Sequence, residues 1–172
     1  VYASYGTNET SGSMSKALTS SKYQKFGSNL VQNHGGEVTA DWTLANGGGS
    51  TGTPAYATDQ KYLGAKSIRL NKTNTTDYQY GIQWQTLVKG KTYTLSGYLK
   101  TQSVTGSGSG AYIRLGWYNG SGTFTTASAT AVKGTVGWTR YSVTFTLPSD
   151  ATSSSVQVGV FLSGCTGTAW FD

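Results

Sequence analysis

The chain carries one histidine, His34, one cysteine, Cys165, and seven acids: Glu9, Glu37, Asp41, Asp59, Asp77, Asp150 and Asp172. These are the side chains through which chemistry usually runs, and their scarcity limits what that chemistry can be. A Ser/His/Asp triad would have to use His34, which sits in the turn-like string Asn33-His34-Gly35-Gly36. One cysteine allows no disulfide, no cysteine zinc site and no C-x-x-C redox pair. Glycoside cleavage needs two carboxylates set across one bond, and the acids here are isolated along the sequence. The chain is rich instead in rings, with 5 Trp, 12 Tyr and 5 Phe. Some of these fall where strand alternation turns them away from a core. Tyr112, Arg114 and Tyr118 alternate with Ala111, Ile113, Leu115 and Trp117, and Gln157 and Phe161 alternate with Val156, Val158, Val160 and Leu162. An outward face that is polar but laden with rings calls for a reason.

The elements that must hold those residues are strands. The chain has 172 residues, enough for one domain with a proper core. Charged residues are 12% against a usual figure of about 25%. With 24 Gly and 2 Pro, and Thr, Ser, Tyr and Val abundant, this is the composition of a β protein with many turns. In Thr92–Lys100, Tyr93, Leu95 and Leu99 share one face and Thr94, Ser96, Tyr98 and Lys100 the other, the period of a half-buried strand. Tyr141, Val143, Phe145 and Leu147 repeat the pattern. Shorter strands are expected at Asn29–Asn33, Ser67–Leu70, Tyr78–Thr86 and from Ala169. The segment 46–52 is a glycine loop. Residues 1–28 read as a linker or leading strand, and 29–172 as the domain. Eight or nine short strands without a helical window predict an all-β sandwich or barrel, and two facing antiparallel sheets would absorb one apolar face per strand.

Other classes of partner fit poorly. Net charge is +6, but the basic residues are spread rather than gathered on a stripe, which argues against nucleic acid. No apolar run is long enough to cross a membrane. The chain starts at Val1 with no signal peptide and reads as a piece of a longer protein.

Three segments carry a resemblance. Asn29-Leu30-Val31-Gln32-Asn33-His34-Gly35-Gly36-Glu37 resembles the opening N-L-hydrophobic-x-N-x-x-F-E of bacterial jelly-roll carbohydrate-binding modules, with Gly36 where the family usually has Phe. Gly90–Lys100 is similar to their central G-K-T-Y-T-L-S-x-Y-x-K strand. Trp138–Pro148 and the closing Ala169-Trp170-Phe171-Asp172 are similar to W-x-R-x-S-x-T-F-T-x-P and x-x-F-D-D. The resemblance implies a two-sheet jelly roll that binds polysaccharide or glycan without cleaving it. It implies a monomer tethered to further domains of a secreted or cell-surface protein. It also implies one structural calcium ion (Ca2+) near the chain ends, for which Glu37 and Asp172, with Asp41 nearby in sequence, are the candidate ligands; calcium takes six to eight oxygens.

Sugar rings present apolar C–H faces that pack on aromatic rings, and hydroxyls that need polar partners once desolvated. Tyr112, Arg114, Tyr118, Gln157 and Phe161 are the candidate ligand-binding set, and Arg114 could pair with a uronate. The strands at 78–86, 111–118 and 155–162 are expected side by side in one sheet. Trp84, Trp138 and Trp170 are expected in the core, and Tyr98 and Lys100 on an ordinary solvated face. The rival reading is a structural or adhesive spacer that binds no sugar, with residues 1–28 covering the candidate face. In that case the loops at 46–62 and 119–123, with Tyr56 and Tyr62 beside Tyr118, would be the alternative site.

Overall fold

The computed structural model describes residues 29–172. The expected linker or leading strand at 1–28 lies outside the described residues. Ten strands follow in order: β1 (Thr43–Asn46), β2 (Ala55–Ala57), β3 (Ser67–Lys72), β4 (Tyr78–Thr86), β5 (Thr92–Thr105), β6 (Gly110–Tyr118), β7 (Phe124–Ser128), β8 (Gly134–Thr146), β9 (Ser155–Ser163) and β10 (Thr166–Phe171). They form two five-stranded sheets, sheet A in the order β1-β4-β9-β6-β7 and sheet B in the order β2-β3-β10-β5-β8. Every ladder is antiparallel. This is the all-β sandwich that the alternation calls for, a jelly roll of two facing sheets.

The apolar parity of each strand makes the core. Ala111, Ile113, Val160 and Leu162 of sheet A meet Leu70, Leu99, Ala169 and Phe171 of sheet B. Leu115, Trp117, Val156 and Val158 meet Phe145 and Leu147 further along, with Tyr93 packed against this second group and Leu95 and Val143 against both. A small cavity of about 70 Å³ remains between the sheets, bordered by Val31, Trp42, Ile68, Leu95, Ile113 and Phe171. It lies in the region where the related motif has Phe and this chain has Gly36. Gly36 adopts φ +67°, and a Cβ there would stand 3.2 Å from Ile68 Cγ1, so the turn is built around a glycine.

Four local expectations are corrected. Asn29–Asn33 is not a strand: residues 31–35 form a bend and turn. Asn33, at φ 45°, closes it by donating its side-chain amide to Val38 O at 2.7 Å and Ala40 O at 2.8 Å. β4 is turned over relative to its reading. Gln79 and Gln83 face inward and Tyr78, Tyr80, Ile82 and Trp84 face out, so Trp84 is 47% exposed rather than core. At Gln83 the reason lies in what stands behind the strand, the backbone of Gln32. Gln83 Oε1 accepts from Gln32 N and its Nε2 donates to Gln32 O, both at 2.9 Å, which satisfies amides that an apolar residue would leave orphaned. Trp138 stands partly buried on the outer face of sheet B, 6.1 Å from Tyr62 between centroids. Trp170 is buried as expected, yet it too lies on that outer face, its Nε1 donating to Asp59 Oδ1 at 3.3 Å. Tyr98 and Lys100 are not on an open solvated face. The 58–63 loop folds over them: Tyr62 stacks on Tyr98 at 3.6 Å, and Lys100 Nζ donates to Gln60 Oε1 at 2.6 Å.

Candidate functional site

The outer face of sheet A is built in rows by strand register. Tyr80, Phe161 and Tyr112 stand opposite one another on β4, β9 and β6. Ile82, Gly159 and Arg114 form the next row, and Trp84, Gln157 and Gly116 the third. The sequence reading placed Tyr112, Arg114, Tyr118 and Gln157 on one face of adjacent strands, and they stand there together. Phe161 joins them but is only 2% exposed. Its cover comes from its own row: Tyr112 stacks on it at 5.6 Å and 13°, Tyr80 at 6.2 Å and 28°. The ring leans over Gly159, where a Cβ would lie 2.4 Å from Phe161 Cε2. Glycine is required there because the ring takes the space of a side chain.

On top of Phe161 lies Arg114, its guanidinium carbon 3.8 Å from the ring centroid. Arg114 Nη2 donates to Gln157 Oε1 at 2.8 Å. Burial lowers the Arg114 pKa, against an opposing influence from the Tyr112 and Tyr78 phenols. The result is a planar cation fixed flat on an aromatic floor. A shallow depression of about 150 Å³ opens here, bordered by Tyr78, Tyr80, Ile82, Arg114, Gln157 and Phe161. Around it the exposed rings are Tyr78 at 41%, Trp84 at 47%, Tyr118 at 42% and Phe124 at 37%. Trp84 also borders a neighbouring hollow with Gln32, Asp41 and Thr43.

Sequence reasoning missed the β4 contribution of Tyr78, Tyr80 and Trp84. A usable signal was present: the residues between them are Gln79, Gly81, Gln83 and Gln85, so either parity could face out. The alternative site does not assemble. Tyr56 packs against the core with its hydroxyl donating to Ala40 O and Trp42 O. Tyr62 lies over sheet B, whereas Tyr118 belongs to sheet A.

Glu37 and Asp172 come to one turn. Asp172 Oδ2 accepts from Tyr62 N at 2.8 Å and Leu63 N at 3.2 Å, and Glu37 accepts from Ala65 N at 2.9 Å. Both carboxylates border Gly35, 3.4 and 3.6 Å from where its Cβ would be. Asp41 lies elsewhere, in the hollow beside Trp84. His34 sits in the 31–35 turn. Among the described residues no three His, Cys, Asp or Glu side chains gather as a metal cluster.

Residues 28–164 match the family model of a carbohydrate binding domain. No curated protein matches the chain. Among solved structures, a family 16 carbohydrate binding module is 17% identical, with a TM-score of 0.61 over 84% of this chain and 96% of that one. The CBM22-1 xylan-binding domain of Paenibacillus barcinonensis Xyn10C is 19% identical, with a TM-score of 0.59 over 81% and 87%. The enzymatically active domain of tailspike protein 4 of bacteriophage CBA120 is 15% identical, with a TM-score of 0.60 over 83% of this chain. This chain spans 20% of the length of that solved domain. At these identities the likeness to the three structures is one of fold.

Proposed function

This chain belongs to the carbohydrate binding domain family, and on that footing we propose that it holds its polysaccharide along the outer face of sheet A. The observation that carries the reading is the row-wise assembly of Tyr78, Tyr80, Trp84 and Tyr112 around the Arg114–Gln157 pair, with Tyr118 exposed further along β6. Rings offer platforms for the C–H faces of sugars, and the guanidinium and amide offer partners to hydroxyls in a partly desolvated setting. Binding is the whole task in this reading, with no bond cleavage. The depression is shallow, so much of the polymer stays wet and affinity is modest. Titration with a panel of soluble xylans, glucans, mannans, galactans and uronate polymers tests it. Trp84→Ala and Tyr118→Ala are each expected to lower affinity for the preferred polymer about tenfold, the scale of an aromatic anchor. Unchanged binding in both would place the site off this face.

We read the domain as a monomeric module carried with further domains on a secreted or surface protein. For calcium, the support is the convergence of Glu37 and Asp172 beside Gly35, hard oxygen donors of the kind the ion takes. The two would be its carboxylate ligands, with backbone carbonyls completing the shell. The ion would tie the Asp172 end of β10 to the 35–37 turn and bring no chemistry to the sugar. Adding a chelator should then lower the melting temperature and added calcium restore it. A melting curve indifferent to both leaves the carboxylates as partners of the 62–66 amides alone.

A further inference from the structure

We propose that Arg114 reads a carboxylate on the bound polymer, so that the preferred ligands are uronate-bearing polysaccharides. This rests on the outer face of sheet A being the binding face. The ground for it is an imbalance of charge. Among the described residues, Arg114 is the one cation bordering the depression, and no acid borders it. The six described acids stand elsewhere. Asp59 pairs with Arg69 at 3.7 Å, the one ion pair among the described residues. Asp77 accepts from Gly49 N, Glu37 and Asp172 hold the 62–66 turn, and Asp150 borders Gly120. Asp41 lies in the hollow beyond Trp84.

Several other cations among the described residues have partners of their own. Lys72 is buried but donates to Ser50 Oγ and Thr76 O. Arg140, on sheet B, is exposed and donates to Ser96 Oγ. Arg114 and Arg69 each keep a buried, unpartnered Nε, but Arg69 has Asp59 as counter-charge, whereas Arg114 lies on an aromatic floor with no described acid beside it. A desolvated cation without a counter-charge is costly to hold. It is also the state in which an arriving carboxylate gains most, because the guanidinium fork is already fixed and already short of water. Gln157 takes up one Nη2 donor and sets the plane. Arg114 borders the depression, where a polymer lying on Tyr80 would present its side groups.

The test uses the full chain and matched polymers. Polygalacturonate, alginate and glucuronoxylan are titrated beside the same polymers with their carboxyls chemically reduced to alcohols. At least one uronate polymer is expected to bind at least tenfold more tightly than its reduced counterpart. Arg114→Gln should abolish that ratio, while Arg114→Lys keeps part of it. Arg140→Gln, a charge loss of equal size on the opposite sheet, should leave the ratio intact, which separates a site from general attraction to a +6 chain. The melting temperature of each variant shows that it is folded. Equal binding of native and reduced polymers overturns the carboxylate inference and leaves the glycan-binding face standing. Loss of the ratio in Arg140→Gln overturns it too. Binding to no polymer of either set overturns the reading of the face itself.

Discussion

Tyr56 shows how a single hydroxyl can be tied to the stability of the whole sandwich. Its ring packs against the core, and its Oη donates to Ala40 O at 2.9 Å and Trp42 O at 3.2 Å. Burial, the largest influence, raises its pKa above the usual 10.0, against an opposing influence of the Trp42 backbone, and the Asp41 charge adds to the rise. The neutral phenol is therefore the form that the fold prefers. Its contribution is fully present below pH 10 and is lost as pH rises through the raised folded value. The urea midpoint should fall more steeply above pH 10 for the native chain than for Tyr56→Phe. At pH 7 the variant should be less stable by about 1 kcal/mol, the scale of a lost buried hydrogen bond. Parallel pH profiles of the two would remove Tyr56 as a titrating contributor. Nothing in the residues around Tyr56 announces this role. Its partners lie 14 and 16 positions away, beyond any local pattern.

At the scale of elements, β9 sets the height of the candidate face. Gly159 lets Phe161 lie down, and Phe161 carries Arg114. Gly159→Ala should force the ring up, at a cost of about 1–3 kcal/mol in denaturant unfolding, the range for overpacking. It should also weaken polysaccharide binding. Adding Phe161→Leu should recover stability and leave binding weak. If Gly159→Ala binds as well as the native chain, Phe161 is not the support of the site. Strands β5, β6, β8 and β9 are legible from sequence because each has one parity of Val, Leu, Ile and Phe and another of polar groups, so period and facing are read together. β4 gives up its period but not its facing. Ile82 and Trp84 suggest a core parity, while the amides of Gln79 and Gln83 are the ones turned inward. What decides between them is the Gln32 backbone, 51 positions away along the chain. The part of the candidate face that β6 and β9 supply, Tyr112, Arg114, Tyr118 and Gln157, was therefore readable as outward-facing. The β4 part depended on that distant backbone.

The whole molecule presents two unlike surfaces. Sheet B is covered in part by the 58–63 loop, whose Asp59, Gln60 and Tyr62 meet Trp170, Lys100 and Tyr98. Sheet A keeps Trp84, Tyr78, Tyr118 and Phe124 in the open. This asymmetry is invisible in strand periodicity, because a loop's destination depends on contacts made at long range. The interior carries its own irregularity, the space of about 70 Å³ beside Trp42, Ile68 and Phe171. Unfolding removes such voids, so the denatured chain occupies less volume than the native one. Compression should accordingly unfold this domain, with a volume change on the order of tens of millilitres per mole in its disfavour. Trp42, on the wall of the space, would report the transition in its fluorescence. Val160→Ile, which adds a methylene from that same wall, should shrink the volume change and move the midpoint to higher pressure. The domain would then let go of its sugar when squeezed, because compression unfolds the sandwich through a space that lies behind the candidate face.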